Sequence, residues 1–393
     1  MDLLTSIKAF AKDLHPRLVE WRRHLHAHPE LSFEEFNTSE FICAILDEYG
    51  ITYTPCVAKT GIIVLIKGKN PDSKCIALRG DMDALPIEEK NQLDYASTKP
   101  GVMHACGHDF HTSNILGAAI ILEKFKHAFE GTVKVIFQPS EEKIPSGAPA
   151  MIAAGVLENP KVDAIIGYHV SPELSTGSFG FRAGQLMASA DEIYLTVNGK
   201  GGHAAFPDQL IDPVLTTAQL LLNLQQVVSR RKSPFEPAVL SFGKLEAKGA
   251  TNIIPNEVQV AGTLRAMNED FRFKAHEWIK QICEETAAAN GASCEVNIVV
   301  GYPFVKNDED LTQRMINEAE TFGSEIAIHE IPARMGAEDF AYYSQEVPAC
   351  FIRVGTGNSE KGTTHGLHTN QFNVDDDALL HSSALMAWMA INA

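Results

Sequence analysis

The sequence predicts an α/β domain interrupted by a smaller α+β domain, and three features carry that expectation. Short apolar runs recur in both outer parts of the chain without alternating, as strands buried on both faces do. Helical stretches separate several of these runs, the pattern of a sheet covered by helices. The middle of the chain carries strand candidates that alternate apolar with polar residues. A length of 393 residues exceeds one ordinary core and agrees with two domains.

Taken in order, Leu3, Leu4, Ile7, Phe10 and Leu14 fall at helical spacing, so the first two dozen residues read as an amphipathic helix. It ends near His28, because Pro29 disfavours helical geometry in the residue before it. A second helix is expected from about Thr38 to Tyr49, before Gly50. Strands follow at Gly61–Ile66 and Cys75–Leu78, a helix at Ser113–Phe129, and strands at Val133–Phe137, Ala164–Gly167 and Cys350–Val354. In the middle, Asp191–Val197 places Ile193, Leu195 and Val197 on one face. Val214–Val228 and Phe271–Asn290 read as helices, and Val239–Phe242, Glu257–Leu264 and Ser293–Val299 as strands. These four strands and two helices form the expected insert, residues 184–300, leaving 1–183 and 301–393 as the outer domain. No repeat or low-complexity tract interrupts the pattern.

Composition narrows the function. Lys and Arg number 33 against 50 Asp and Glu, a formal charge of −17, whereas phosphate neutralisation needs clustered cations; nucleic acid is not an expected partner. The longest apolar runs, such as Ile62–Ile66, fall far short of a membrane span. The charged N-terminal helix does not read as a signal peptide, so a cytoplasmic protein is expected. Seven cysteines without CxxC pairs argue against a disulfide framework.

The informative residues stand where buried strands end. Cys75–Leu78 leads to Asp81 and Asp83, Val133–Phe137 to Glu141 and Glu142, and Ala164–Gly167 to His169. His104-Ala105-Cys106-Gly107-His108-Asp109 precedes a helix. Ligands of open α/β sheets bind beyond the carboxyl ends of the strands, so these groups are expected to converge on one crevice. Thiolate, imidazole and carboxylate are the ligands of zinc and related divalent ions. Singly, each motif has a plainer reading. Cys106 and His108, two apart, do not share a helix face and belong to an irregular turn if they chelate; otherwise they are a buried thiol and a core imidazole. Asp81 and Asp83 fit a turn with side-chain hydrogen bonds as well as a role in ligating or orienting a ligand. Adjacent glutamates usually face solvent, but Glu141 and Glu142 follow an apolar strand and need partners. Of His24, His26 and His28, only the first and last share a helix face.

The segments GDMDALP, HACGHDFH, FQPSEE, GYHV, GKGGHAAFP, TNIIP, GTLR, GAEDFAYY and GLHTNQF occur in this order. Together they resemble the amidohydrolase branch of the aminoacylase/carboxypeptidase family of metallopeptidases, over essentially the whole chain. The resemblance implies a zinc-peptidase-like domain with a mixed sheet flanked by helices, and an inserted lid domain through which two copies form a homodimer. It implies two divalent metal ions per subunit, zinc, manganese, cobalt or nickel, held by Cys106, His108, Glu142, His169 and His368, with Cys106 bridging as a thiolate. Glu141 falls on the base that activates water for amide hydrolysis. Asp83 and Asp109 are expected, with Asp81, to orient ligating imidazoles. His203 falls on a residue that polarises the scissile carbonyl, and Asn252 and Arg265 on substrate-contacting positions. The family pattern selects His368 over His365. The implied substrate is an N-acyl amino acid, with a carboxypeptidase or dipeptidase on the same site as the alternative. Ser140, Tyr168 and Asp208 depart from the usual residues without removing a ligand. A cysteine hydrolase with Cys106 as nucleophile is the contrasting enzyme class, and a non-catalytic binding protein the third.

Overall fold

The computed structural model describes residues 2–393. In chain order the elements are α1 (Leu3–Ala27), α2 (Phe36–Glu48), β1 (Tyr53–Val57), β2 (Gly61–Lys67), β3 (Cys75–Asp81), α3 (His108–Lys124), β4 (Thr132–Gln138), α4 (Gly147–Ala153), β5 (Ala164–Ser175) and β6 (Ser178–Phe181). They continue through β7 (Gly184–Met187), β8 (Asp191–Asn198), β9 (Gly202–His203), α5 (Pro213–Leu224), α6 (Gln226–Ser229), β10 (Ala238–Glu246), β11 (Ile253–Ile254), β12 (Glu257–Ala266), α7 (Glu269–Ala289) and β13 (Ser293–Val300). The last are β14 (Val305–Asn307), α8 (Glu309–Phe322), β15 (Ala327–Glu330), α9 (Ala341–Glu346), β16 (Ala349–Gly357) and α10 (Ala378–Asn392).

The chain divides into two compact units: one holds the described residues through Gly184 with Lys306–Pro332 and Asp339–Ala393, the other Gln185–Val305 with Ala333–Glu338. The first is built on an eight-stranded sheet of order β1-β2-β4-β3-β5-β16-β6-β15. Strands β4, β3, β5 and β16 run parallel, while β1 against β2, β2 against β4, and β6 against β16 are antiparallel, so the sheet is mixed. Every residue of β3 and β4 is buried, which explains why their sequences are apolar without alternation. Helices α1, α3 and α10 pack together on the sheet, and Leu18, Trp21, Leu116, Ile120, Leu385 and Met389 lie in the same core as Val64, Leu78 and Val135.

The second unit carries an antiparallel sheet of order β10-β12-β8-β13. Ile193, Leu195 and Val197 of β8 point inward, as their alternation requires, and pack with Leu220 and Leu224 of α5 and Ala275 and Ile279 of α7. The helix expected over Val214–Val228 is two pieces, α5 and α6. Among the described residues, no helix is long and apolar enough to cross a membrane.

Two local expectations need correction. The third helix begins at His108, five residues before the expected Ser113, because Gly107 in the left-handed conformation turns the chain directly into it. The strand expected at Ala164–Gly167 continues to Ser175, since β16 pairs with it along that length.

Candidate metal centre

The topology creates the site. From β3 the chain goes to β4 on one side, then to β5 on the other, so the crevice beyond the carboxyl ends of these strands opens where the order reverses. Asp81 ends β3 and Asp83 follows it, Glu141 and Glu142 follow β4, and His169 lies within β5. Cys106 and His108 flank the start of α3, and His368 lies in the segment between β16 and α10. Gly107 makes the turn between Cys106 and His108 possible: its φ is +88°, and a Cβ there would stand 2.6 Å from a methyl of Val170.

These side chains meet. Ligand atoms of Cys106, His108 and His169 lie within 4.8 Å of one another, and so do those of Cys106, Glu142 and His368. Ligands around one tetrahedral zinc stand roughly 3.3–3.8 Å apart, given bonds of about 2.0–2.3 Å. The sulfur of Cys106 is 3.2 Å from His169 Nε2 and 3.3 Å from His368 Nε2, so it is the shared member of both triads. His368 Nε2 is also 3.3 Å from Glu142 Oε1.

The imidazoles are presented through fixed nitrogens. His108 Nδ1 donates to Asp83 Oδ1 at 3.1 Å, and its buried Nε2 has no hydrogen-bond partner. His169 Nδ1 donates to the Val170 carbonyl at 2.8 Å, which leaves the Nε2 lone pair facing Cys106. Glu142 Oε1 is buried, with His368 Nε2 at 3.3 Å as its near neighbour. Such polar atoms, gathered with a thiol, are what a cation would satisfy, and the donor set fits two divalent ions.

The charge balance agrees. Burial pushes the Cys106 thiol well above its usual range, and the carboxylates of Glu142 and Glu141 push it further; a bound cation reverses that. Burial, then the positive charge of Arg353, holds His169 well below the usual histidine range, so it is a neutral donor. Burial would lower His108 too, but Asp81 and Asp83 outweigh it and raise it to about 10, so this imidazole keeps its proton unless a cation displaces it.

Glu141 is buried beside these groups, with a carboxylate oxygen inside a further cluster formed with His108 and Glu142. Its backbone N–H donates to Asp83 Oδ1 at 3.0 Å, and its Oε1 accepts from the Asp339 N–H at 3.3 Å.

The three aspartates differ. Asp83 orients His108. Asp81 orients His111, whose Nδ1 donates to it at 2.5 Å, and lies 3.8 Å from His108 Nε2. His111 Nε2 accepts from the Val170 N–H at 3.0 Å, so neither of its nitrogens is left to ligate. Asp109 pairs with Arg22 and with His26, both at 2.8 Å, rather than with an imidazole of the cluster.

The remaining candidates lie in the second unit. His203 pairs with Ile253 across β9 and β11, and its Nδ1 accepts from the Ala205 N–H at 3.1 Å, leaving Nε2–H as an exposed donor. The Asn252 carbonyl accepts from the Ala204 N–H at 3.0 Å. Arg265 is half-buried on β12, where its Nε donates to Thr263 Oγ1 at 3.2 Å.

Some neighbours of the cluster, His111 and Arg79 among them, escaped the sequence reading. His111 stands three residues after His108, a spacing that places both on one face of α3 and is a usable signal. Arg79 is fully buried and reaches Asp81 at 2.6 Å and Asp339 at 2.5 Å. Tyr168 is buried with its hydroxyl on the His111 carbonyl, so it supports the cluster from behind. His26 lies in a buried ion-pair network, while His24 and His28 stack beside Phe41.

Comparison with known proteins follows this geometry. The sequence profile of peptidase family M20/M25/M40 matches residues 77–391. An N-acetylcysteine deacetylase of Bacillus subtilis is 39% identical over 383 residues, covering 97% of each chain. Thermostable carboxypeptidase 2 of Saccharolobus solfataricus is 34% identical, covering 100% of this chain and 99% of its own. The crystal structure of a Bacillus subtilis protein described as a dinuclear metal binding peptidase from the M20 family superposes with a TM-score of 0.84 at 36% identity, over 97% of this chain and 98% of that one.

Proposed function

The chain belongs to peptidase family M20/M25/M40, and on that premise we propose that it hydrolyses the amide bond of N-acyl amino acids at a site holding two divalent metal ions. The observation that carries this reading is the position of Cys106, shared by a triad with His108 and His169 and a triad with Glu142 and His368. We assign those five residues as the metal ligands. When bound there, two divalent ions would supply Lewis acidity, for activating water near neutral pH and for offsetting negative charge that develops on the attacked carbonyl.

The protein's own groups do the rest. Asp83 holds the ring of His108 through Nδ1, and the Val170 carbonyl holds that of His169, so both rings aim Nε2 without turning; His169 offers a lone pair directly, and His108 does so once its Nε2 proton is lost. Glu141 takes a proton from the attacking water at its carboxylate and delivers it to the leaving amine, acting first as base and then as acid. The Asp339 N–H at Glu141 Oε1 limits how that carboxylate can turn. No acyl-enzyme forms, so Cys106 is a ligand and not a nucleophile. Donation by His203 to the substrate carbonyl, and contacts of Asn252 and Arg265 with the substrate, rest on the family resemblance.

Deacylation is preferred to peptide cleavage on the strength of the deacetylase relative at 39% identity; the carboxypeptidase relative, at 34%, makes a carboxypeptidase or dipeptidase the second reading. The test is a panel of N-acetyl and N-benzoyl amino acids against dipeptides, using metal-stripped protein and protein restored with Zn²⁺, Mn²⁺, Co²⁺ or Ni²⁺. Metal-restored hydrolysis fastest on the N-acyl compounds is expected. Activity that survives chelation but dies on alkylation would instead identify a cysteine hydrolase.

We further propose a homodimer formed through the second unit. Leu215 and Leu222, seven residues apart and so on one face of α5, are 66% and 74% exposed, apolar surface that a second copy would cover. A solution mass near twice 43.0 kDa is expected, and a mass of 43.0 kDa would refute the dimer.

A further inference from the structure

We propose that Glu35 is a positioning residue for Glu141 and Glu142: its carboxylate clamps the left-handed backbone of Ser140, the turn that aims both glutamates. This inference rests on the metallohydrolase reading above and adds a residue outside its ligands and base.

Glu35 precedes α2 and is fully buried. Its Oε1 accepts from the Ser140 N–H at 2.8 Å and the Phe33 N–H at 2.9 Å, and its Oε2 accepts from Thr60 Oγ1 at 2.7 Å. Ser140 has a φ of +51°, a region that residues with a Cβ enter only when the surroundings hold them there. The turn is needed because β4 ends at Gln138, and with only Pro139 and Ser140 between, the chain must present the N–H groups of Glu141 and Glu142 to the two oxygens of Asp83. The Ser140 side chain does not anchor this turn, since its Oγ is buried without a hydrogen-bond partner. The anchors are the backbone contacts, N–H to Glu35 and carbonyl from the Gly147 N–H at 2.6 Å. Ser32, three residues before Glu35, donates to Asp83 Oδ2 at 2.6 Å, so one short segment braces both acidic turns.

Glu35 acts here only as an acceptor. Both amides approach one oxygen and a hydroxyl approaches the other. Glutamine can reproduce that pattern, with Oε1 toward the amides and Nε2 donating to Thr60 Oγ1. Alanine cannot.

The experiment compares Glu35→Ala, Glu35→Gln, Ser140→Gly and the double variant Glu35→Ala with Ser140→Gly. Each is assayed as metal-loaded enzyme and, without substrate, by titrating the metal-free protein with Co²⁺ and following the visible spectrum. Glu35→Ala is expected to lower kcat about 10–100-fold, with KM changing less than about three-fold, and to weaken Co²⁺ binding about ten-fold. Glu35→Gln should stay within about three-fold of wild type on both measures, because its hydrogen bonds survive. Ser140→Gly should recover part of the alanine loss, because glycine occupies positive φ without a clamp.

Wild-type kcat and Co²⁺ affinity in Glu35→Ala would overturn the proposal, and so would glutamine being as damaging as alanine. If Glu35→Ala does not fold, Glu35→Asp, one methylene short of the turn, takes its place with the same expected losses, and wild-type behaviour of that variant would overturn it equally. A wild-type protein inactive on every amide defeats the functional reading instead, and the Co²⁺ titration then decides the role of Glu35 alone.

Discussion

Asp83 ties the backbone of Glu141 to the ring of His108: one carboxylate oxygen accepts from the Glu141 N–H at 3.0 Å and from His108 Nδ1 at 3.1 Å. The other accepts from the Glu142 N–H at 3.1 Å and from Ser32. A proposed base and two proposed ligands therefore share one acceptor. Asp83→Ala should weaken metal binding about 10–100-fold and reduce activity even at saturating metal. Calorimetric metal titration with parallel kinetics checks this, and an unchanged affinity would remove the role.

Glu141→Gln separates the base from the ligands. It should bind metal as wild type does, because Glu141 is outside both Cys106 triads, yet lose about 10²–10⁴-fold in kcat. Turnover at the wild-type rate with full metal content would end the assignment.

Gly107→Ala tests the chelating turn. The added methyl would meet Val170 at 2.6 Å and sit at a φ of +88°, so the start of α3 must shift, and with it Cys106 and His108. A loss of about 1–3 kcal/mol in stability is expected, together with weaker metal binding. A denaturation curve coincident with wild type would contradict it.

Acid sensitivity of the second unit follows from Asp191. Burial alone would raise its carboxyl, but Arg272 and His276, with hydrogen bonds of 2.5 to 2.9 Å, hold it down at about 2. A pKa lower in the folded chain than in the unfolded one gives stability that is present above pH ~4 and lost as the pH falls toward ~2, about 2 kcal/mol in all. Asp191→Asn should lower stability at neutral pH by about 3 kcal/mol and flatten this acid step. Urea unfolding at a series of pH values measures both.

Much of this was legible in the sequence, and the parts that were not have a physical reason. Buried strands announce themselves by continuous apolar runs, so β3, β4 and the start of β5 could be read, and with them the places where Asp81, Asp83, Glu141, Glu142 and His169 emerge. Alternation in β8 likewise follows from one buried face. Glu35 gives no such signal, because its partners Thr60 and Ser140 are distant in sequence and only the fold brings them to it. Asp339 is similar: it braces Arg79, Gln138 and Glu141 from the far end of the chain. Asp109 is expected from the sequence to orient a ligating imidazole, but it does not face the cluster. One step along a helix turns a side chain about 100°, and that turn carries Asp109 to Arg22 and His26.

The most direct test of the two-ion centre is to titrate the metal-free protein with Co²⁺ while recording absorbance and hydrolysis together, for wild type and Cys106→Ala. Two equivalents per chain are expected, with a sulfur-to-cobalt band that is absent from the variant and activity that rises with occupancy. Full hydrolysis by the metal-free protein, or two equivalents bound with unchanged affinity in Cys106→Ala, would contradict a centre built on the Cys106 sulfur.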